Sequence, residues 1–259
     1  MPTSASALTP KPQSLSLRTI GRPELSVVIP VYNEEDSLAT LLGELAAVLQ
    51  AAGRTYEVVV VDDGSTDGSF STLKDLKGLY PELHIIAFAA NAGQTAAVAA
   101  GSRAAKGRVI VTLDADLQND PADIPILLEA LDSERASAVV GYRLERRDSV
   151  WKRVQSRVAN AVRNGLTGDS VRDTGCSLKA FRADVLRSVP LYDGMHRFLP
   201  TLIRLQGGKV VECPVRHRAR RFGRTKYGLR NRAVRALVDA LGVRWLARRR
   251  LRYQVREEL

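Results

Sequence analysis

Val58 to Val61 are four consecutive valines. A strand with one wet face alternates apolar and polar side chains, so an unbroken β-branched run fits a strand covered on both faces. Such strands belong to parallel sheets wrapped by helices. Similar runs occur at Leu25 to Val31, Leu83 to Phe88, Val109 to Leu113, Ala136 to Gly141 and Lys209 to Val215. Between them lie residues at helical spacing: Leu38, Leu41, Leu42, Leu45, Val48 and Leu49; then Phe70, Leu73 and Leu76; then an alanine-rich stretch ending near Lys106; then Ile124, Leu127, Leu128 and Leu131. Strands alternating with helices predict a doubly wound, mostly parallel α/β sheet with right-handed crossovers. With 259 residues, 45% of them hydrophobic, the chain can bury that core in one main domain.

Ligands of such sheets bind outside the carboxyl ends of the strands. Three loops fall there: Pro30 to Glu34, Asp62 to Asp67, and Asp114 to Gln118. If extended geometry continues past Leu113, Asp114 and Asp116 share a face and Gln118 follows them. Two carboxylates and an amide oxygen then converge, a hard oxygen set suited to Mg2+ or Mn2+ in company with water and substrate phosphate. The plainer reading of the same residues is a solvated acidic turn. Asp62, Asp63 and Asp67 read equally as turn formers, with Asp67 as a helix N-cap. The segment Val171 to Phe181 reads as a loop.

The formal charge of +11 is unevenly spread. Arg216 to Arg256 hold fourteen arginines and one lysine against Asp239, a balance of +14 that leaves −3 for the rest. The basic end implies an anionic partner. Within it, Val234, Leu237, Val238, Leu241 and Trp245 recur at helical spacing, which predicts a basic amphipathic C-terminal helix over 231–259. Three fates fit that stripe: an anionic membrane interface, RNA, or packing on the domain or a second copy. Residues 1–24 mix Ser, Thr, Pro and Lys without periodicity and read as a disordered leader. Cys176 and Cys213, with three scattered histidines, make neither a disulfide framework nor a zinc spacing, which fits a reducing cytosol. No apolar run approaches the ~20 residues that span a bilayer.

Seven short motifs then appear in one order: Val28-Ile-Pro-Val-Tyr-Asn-Glu34, Val61-Asp-Asp-Gly-Ser-Thr-Asp67, Asn91-Ala-Gly93, Asp114-Ala-Asp-Leu-Gln118, Gly141-Tyr-Arg143, Arg172-Asp-Thr-Gly175 and Arg220-Arg-Phe-Gly-Arg-Thr-Lys226. Together the chain resembles the family 2 glycosyltransferases, in particular their polyprenyl-phosphate branch, which includes dolichol-phosphate mannose synthase. The resemblance implies a GT-A fold over 25–230. It also implies an inverting, metal-dependent transfer of a sugar from a UDP- or GDP-sugar to a dolichyl or undecaprenyl phosphate.

By the same resemblance, Pro30, Tyr32, Glu34, Val61 and Asp63 line the nucleoside pocket. Asp114, Ala115 and Asp116 meet the donor diphosphate, with Asp114, Asp116 and Gln118 on Mg2+ or Mn2+. Arg143, Arg220 and Lys226 meet phosphates, while Arg172 and Asp173 lie where acceptor and sugar meet. Thr225 stands where the family has Ser, and Leu241-Gly-Val-Arg-Trp245 lacks the Gln of the processive synthases. A lipid acceptor favours the membrane surface as partner of the basic helix, with no nucleic acid expected and a peripheral cytoplasmic location. The alternatives are a saccharide or other hydroxyl acceptor, with Asp173 as a true base, or a non-enzymatic nucleotide-sugar or nucleic-acid binding module.

Overall fold

A computed structural model describes residues 22–143, 161, 163–219 and 229–249, with side chains left undescribed over 229–236. Seven strands form one sheet: β1 (Leu25–Val31), β2 (Tyr56–Asp62), β3 (Leu83–Ala87), β4 (Val109–Thr112), β5 (Ala138–Arg143), β6 (Lys179–Arg182) and β7 (Val210–Val215), in the order β3-β2-β1-β4-β6-β5-β7. Helices α1 (Glu35–Ala51), α2 (Ser69–Lys77), α3 (Gln94–Ala104) and α4 (Ile124–Ser133) make the crossovers. They are followed by α5 (Ala183–Ser188), α6 (Leu199–Leu205) and α7 (Leu229–Arg249).

The valine run does what its pattern requires. Val58 and Val60 join Val27, Ile29, Val109 and Val111 in one core, while Val59 joins Val28 and Ile110 in a second core on the opposite face. Successive side chains of a strand point to opposite faces, so each central strand feeds both layers. Residues of α1, α2 and α4 fill the first core, and residues of α3, α5, α6 and α7 fill the second.

One strand departs from the sequence reading. Lys179–Arg182 overlaps the end of the segment read as a loop, yet it forms β6, antiparallel to both β4 and β5. All the other pairings are parallel. An antiparallel strand starts where its parallel neighbours end, and Thr112 of β4 pairs with Lys179 at the start of β6. The loop preceding β6 is therefore delivered to the edge where β1, β2, β4 and β5 deliver theirs.

Three smaller differences have local causes. β4 ends at Thr112, and Leu117 adopts a left-handed φ of 61°, so strand alternation does not set the directions of Asp114, Asp116 and Gln118. Glu24, expected in the leader, is held by the fold: its N–H donates to the Thr55 carbonyl at 3.0 Å, and its carbonyl accepts from Arg108 N at 3.1 Å. The N-cap of α2 is Gly68, and Asp67 instead accepts from the backbone N–H of Ser69 at 2.9 Å and of Glu35 at 3.4 Å. Residues 144–160, within which most of the basic segment from Trp151 begins, and 220–228, which hold Arg220 and Lys226, lie outside the described residues, as does the chain beyond Arg249.

Candidate active site

Two loops at the ends of β1 and β2 are tied together before any substrate is considered. Asn33 N donates to Ser65 Oγ at 2.9 Å, Thr66 N donates to Asn33 Oδ1 at 2.7 Å, and Glu34 N donates to Ser69 Oγ at 2.9 Å. Asn33 holds a left-handed φ of 54°, a conformation its short polar side chain tolerates. Pro30, Tyr32 and Glu34 sit on this tie, each partly exposed, whereas the Val61 side chain is fully buried in β2. Asp63 is buried, and its carboxylate accepts from Ala92 N at 2.7 Å, Gly93 N at 3.0 Å and Asn91 Nδ2 at 3.0 Å. It thereby fixes the loop leading into α3. Gly64 makes that approach possible: a Cβ there would lie 2.5 Å from the Ala90 carbonyl carbon, and its φ of +66° favours glycine.

The next loop carries the acidic pair. Asp114 Oδ1 accepts from Gln94 Nε2 at 2.8 Å, from the first turn of α3. Ser177, just before β6, receives Asp114 N at 3.2 Å and Asn119 Nδ2 at 2.7 Å on its hydroxyl, so it pins both ends of the acidic turn. Asp116 Oδ2 accepts from Gln118 Nε2 at 2.8 Å; the amide nitrogen, not the oxygen, faces the carboxylate. Ala115 is buried in the first core. The Asp114 carboxyl is pushed up to about 6, first by burial and then by the charge of Asp116, with Glu34 adding to it. A divalent cation beside the pair would offset the repulsion and favour the ionised carboxyl despite its burial, and the residues fit one. Among the described residues no three His, Cys, Asp or Glu side chains are arranged to hold an ion alone. Mg2+ and Mn2+ commonly take their remaining ligands from water and substrate phosphate.

Arg143, at the end of β5, meets Asp173 in a two-pronged ion pair: Nε to Oδ2 at 2.6 Å and Nη2 to Oδ1 at 2.9 Å. Asp173 is buried and also accepts from Gly175 N at 3.1 Å. Arg172 turns elsewhere. Its N–H donates to Glu212 Oε1 at 2.7 Å, and its guanidinium lies 5.0 Å from the Tyr142 ring centroid.

Several residues at this edge carry no motif signal. Lys179 is buried beneath the loop, bonds the Cys176 carbonyl, and is held below its ordinary value by burial, with Asp114 and Asp173 among the nearby charges. Buried Arg163 reaches Thr174 and donates to the Val171 carbonyl at 2.6 Å, bracing the Asp173 loop. Arg218 links Glu44 and Asp120, at 2.6 and 2.8 Å, and its N–H donates to the Gln118 carbonyl at 2.8 Å. The start of the basic loop is thus fastened to the acidic turn. The Arg218 contacts join residues far apart in the chain, which local pattern does not encode.

The structure therefore brings Asp114, Asp116, Gln118, Arg143 and Asp173 to one sheet edge. It commits the Asp63 carboxylate to a loop and turns Arg172 away.

Known proteins resemble this chain in sequence and in fold. Residues 26–189 fit the model of Glycosyl transferase family 2. The dodecaprenyl-phosphate galacturonate synthase of Rhizobium johnstonii is 38% identical over 233 residues, covering 88% of this chain and 69% of that protein. The undecaprenyl-phosphate 4-deoxy-4-formamido-L-arabinose transferase of Edwardsiella ictaluri is 41% identical over 208 residues, covering 79% and 63% respectively. The chain thus spans roughly two thirds of the length of these relatives. Among solved structures, glucosyl-3-phosphoglycerate synthase from Mycobacterium tuberculosis, in complex with Mn2+ and UDP-glucose, superposes with a TM-score of 0.65 at 22% identity, covering 85% of this chain and 79% of that one. That likeness establishes the GT-A type of α/β fold. With the family model spanning most of the sheet and a relative matched over more than two thirds of its length, the chain belongs to glycosyl transferase family 2.

Proposed function

We propose that this glycosyltransferase moves a sugar from a nucleoside diphosphate donor to a polyprenyl phosphate, with inversion at the anomeric carbon. The observation that carries the reading is the meeting, at one sheet edge, of an acidic pair and a guanidinium: Asp114 and Asp116 on one loop, Arg143 with Asp173 on the next. The polyprenyl-phosphate acceptors named for both quoted relatives support it.

In the reaction, an acceptor phosphate oxygen forms a bond to the anomeric carbon while the bond from that carbon to the diphosphate oxygen breaks. The electron pair leaves with the nucleoside diphosphate. Asp114 and Asp116, with Gln118 beside them, would hold Mg2+ or Mn2+ on the donor diphosphate, and such a cation offsets the charge developing on the leaving group. Pro30, Tyr32, Glu34 and Val61 would bound the nucleoside side. Asp63 would act there by holding the Asn91 to Gly93 loop in place.

A phosphate monoester has a second pKa near ~6 and is already an anion at neutral pH, so it needs no proton removed before attack. Asp173 fits that chemistry as an orienting group. It accepts both prongs of Arg143 and aims the guanidinium at the incoming phosphate, a geometry suited to planar oxyanion recognition. Arg220 and Lys226 would add positive charge from the loop that Arg218 fastens. A lipid acceptor also sets the place of work, at the cytoplasmic face of a membrane and peripheral to it. Among the described residues no helix is long and apolar enough to cross one.

The test is a panel of UDP- and GDP-sugars, each offered with and without a short-chain polyprenyl phosphate, under Mg2+ and under Mn2+. A lipid-phosphate-linked sugar from one donor, absent after chelation, is the expected product. Transfer only to a hydroxyl acceptor, or donor binding without turnover, would refute the reading.

A further inference from the structure

Helix α7 has two opposite faces. Ala240 and Val243 are buried and Leu246 packs beside them on the second core. Leu237, Val238, Leu241 and Trp245 are 46%, 61%, 49% and 59% exposed. At about 100° per residue these four side chains cluster within about a third of the circumference, diametrically across from the buried set. Arg248 and Arg249 are exposed at the C-terminal end of the same stripe, and the Arg249 guanidinium lies 5.9 Å from the Trp245 ring centroid. A contiguous apolar strip on a charged helix marks an interaction surface. Its setting in the +14 segment selects an anionic surface with an apolar interior over a second protein of like charge.

The inner face of α7 leads to the active site. Asp239 packs against Gly194 so closely that a Cβ there would come within 2.4 Å of Asp239 Oδ2, and the Gly194 φ of +78° suits glycine alone. Gly194 N donates to Thr95 Oγ1 at 3.0 Å, and Thr95 Oγ1 is 2.6 Å from His196 Nδ1. Thr95 adjoins Gln94, whose amide holds Asp114. Exposed Tyr192 precedes this loop, and Asp193 Oδ1 would lie 3.8 Å from a Cβ on Gly93.

We propose that the outer stripe of α7, Leu237, Val238, Leu241 and Trp245 with Arg248 and Arg249, docks on an anionic lipid bilayer. Docking there puts the segment Asp193 to Arg197, which packs on the inner face of the helix, one helix diameter of about 10 Å from the lipid. The loop then forms the wall along which a membrane-bound phosphate reaches the site, an assignment that rests on the lipid-acceptor reading.

Sedimentation of the full chain with vesicles of phosphatidylglycerol and phosphatidylcholine, against pure phosphatidylcholine, tests the surface. Binding is expected to the anionic vesicles only, weakened by salt. It is expected to fall at least tenfold in L241E/W245E, whose melting curve and circular dichroism stay those of the wild type because both positions are exposed. A variant that binds as well as the wild type would overturn the proposal. So would a lack of preference for anionic vesicles, or a wild-type dimer that the variant dissociates without any vesicle binding.

Two acceptors separate this proposal from the reading beneath it. The variant should keep transfer to a water-soluble short-chain polyprenyl phosphate and lose transfer to a long-chain one embedded in vesicles; equal use of the embedded acceptor by both proteins would refute the docking role. If the wild type glycosylates neither acceptor, the acceptor reading fails, and the sedimentation result still decides the docking.

Discussion

Asp114 is the residue on which donor binding should turn most visibly with pH. Its carboxyl stands at about 6 against an ordinary 3.8, raised by burial and by Asp116. Between those values the folded chain binds more protons than the unfolded one, so the stability Asp114 contributes is present at low pH and is lost as pH rises through that window. Cation binding works in the opposite sense, since the proton must leave first. Affinity for Mn2+ together with UDP, measured by calorimetry, is expected to be flat above pH 7 and to fall by up to about tenfold per pH unit below about 6. Asp114→Asn should abolish that slope along with most of the binding. The position of this pair was legible in the sequence, from an acidic cluster directly after an apolar run, although the reason lay elsewhere. Strand alternation ends at Thr112, and the carboxylates are aimed instead by Gln94, Ser177 and Gln118. Gln94 comes from α3 and Ser177 from the loop before β6, and no local pattern announces them. Asp63 shows the converse: its place in the motif was plain, but its bonds to Ala92 and Gly93 appear only in the fold.

At the scale of elements, loop-to-loop seams do the positioning. Gly64 sits at the seam between the loops after β2 and β3, where its +66° φ and the 2.5 Å distance from a Cβ to Ala90 exclude a side chain. Gly64→Ala is expected to cost roughly 1–3 kcal/mol, because both strain and backbone displacement act at one position. A thermal melt would show the loss, and UDP binding should weaken with it as Asp63 and Asn91 separate. The long apolar strands and their helices were readable because each is long enough for its period to show. β6 was not, since two of its four residues, Lys179 and Arg182, are basic and break the apolar pattern that marks the equally short β4. Its pairing with β4 and β5, strands more than 35 positions earlier in the chain, decides its conformation, and tertiary context of that kind overrides local propensity.

Across the whole molecule, the charge asymmetry does not mark a detached tail. The basic end begins with Arg216 and Arg218, which pair with Asp120, Asp123 and Glu44, and it continues into α7, which closes the second core through Ala240 and Val243. Val243→Ala is therefore expected to destabilise the entire domain by roughly 2 kcal/mol, as a cavity in a core does. Leu241→Ala, two residues away on the outer face, should stay within about 0.5 kcal/mol. Chemical denaturation of both variants checks the contrast; equal effects would mean that the helix is not part of the cooperative unit. The apolar spacing predicted a helix here, and it also named Leu237, Val238, Leu241 and Trp245, which turned out to lie on the uncovered side. Periodicity identifies a stripe without saying which of two stripes the core will take. The reversed strand β6 has a consequence for biosynthesis. It lies between β4 and β5, both made earlier, so the middle of the sheet stays open until residue 182 has left the ribosome. A nascent chain arrested after Arg143 would carry β4 and β5 with bare flanks, the kind of unpaired strand edge that recruits other chains and aggregates.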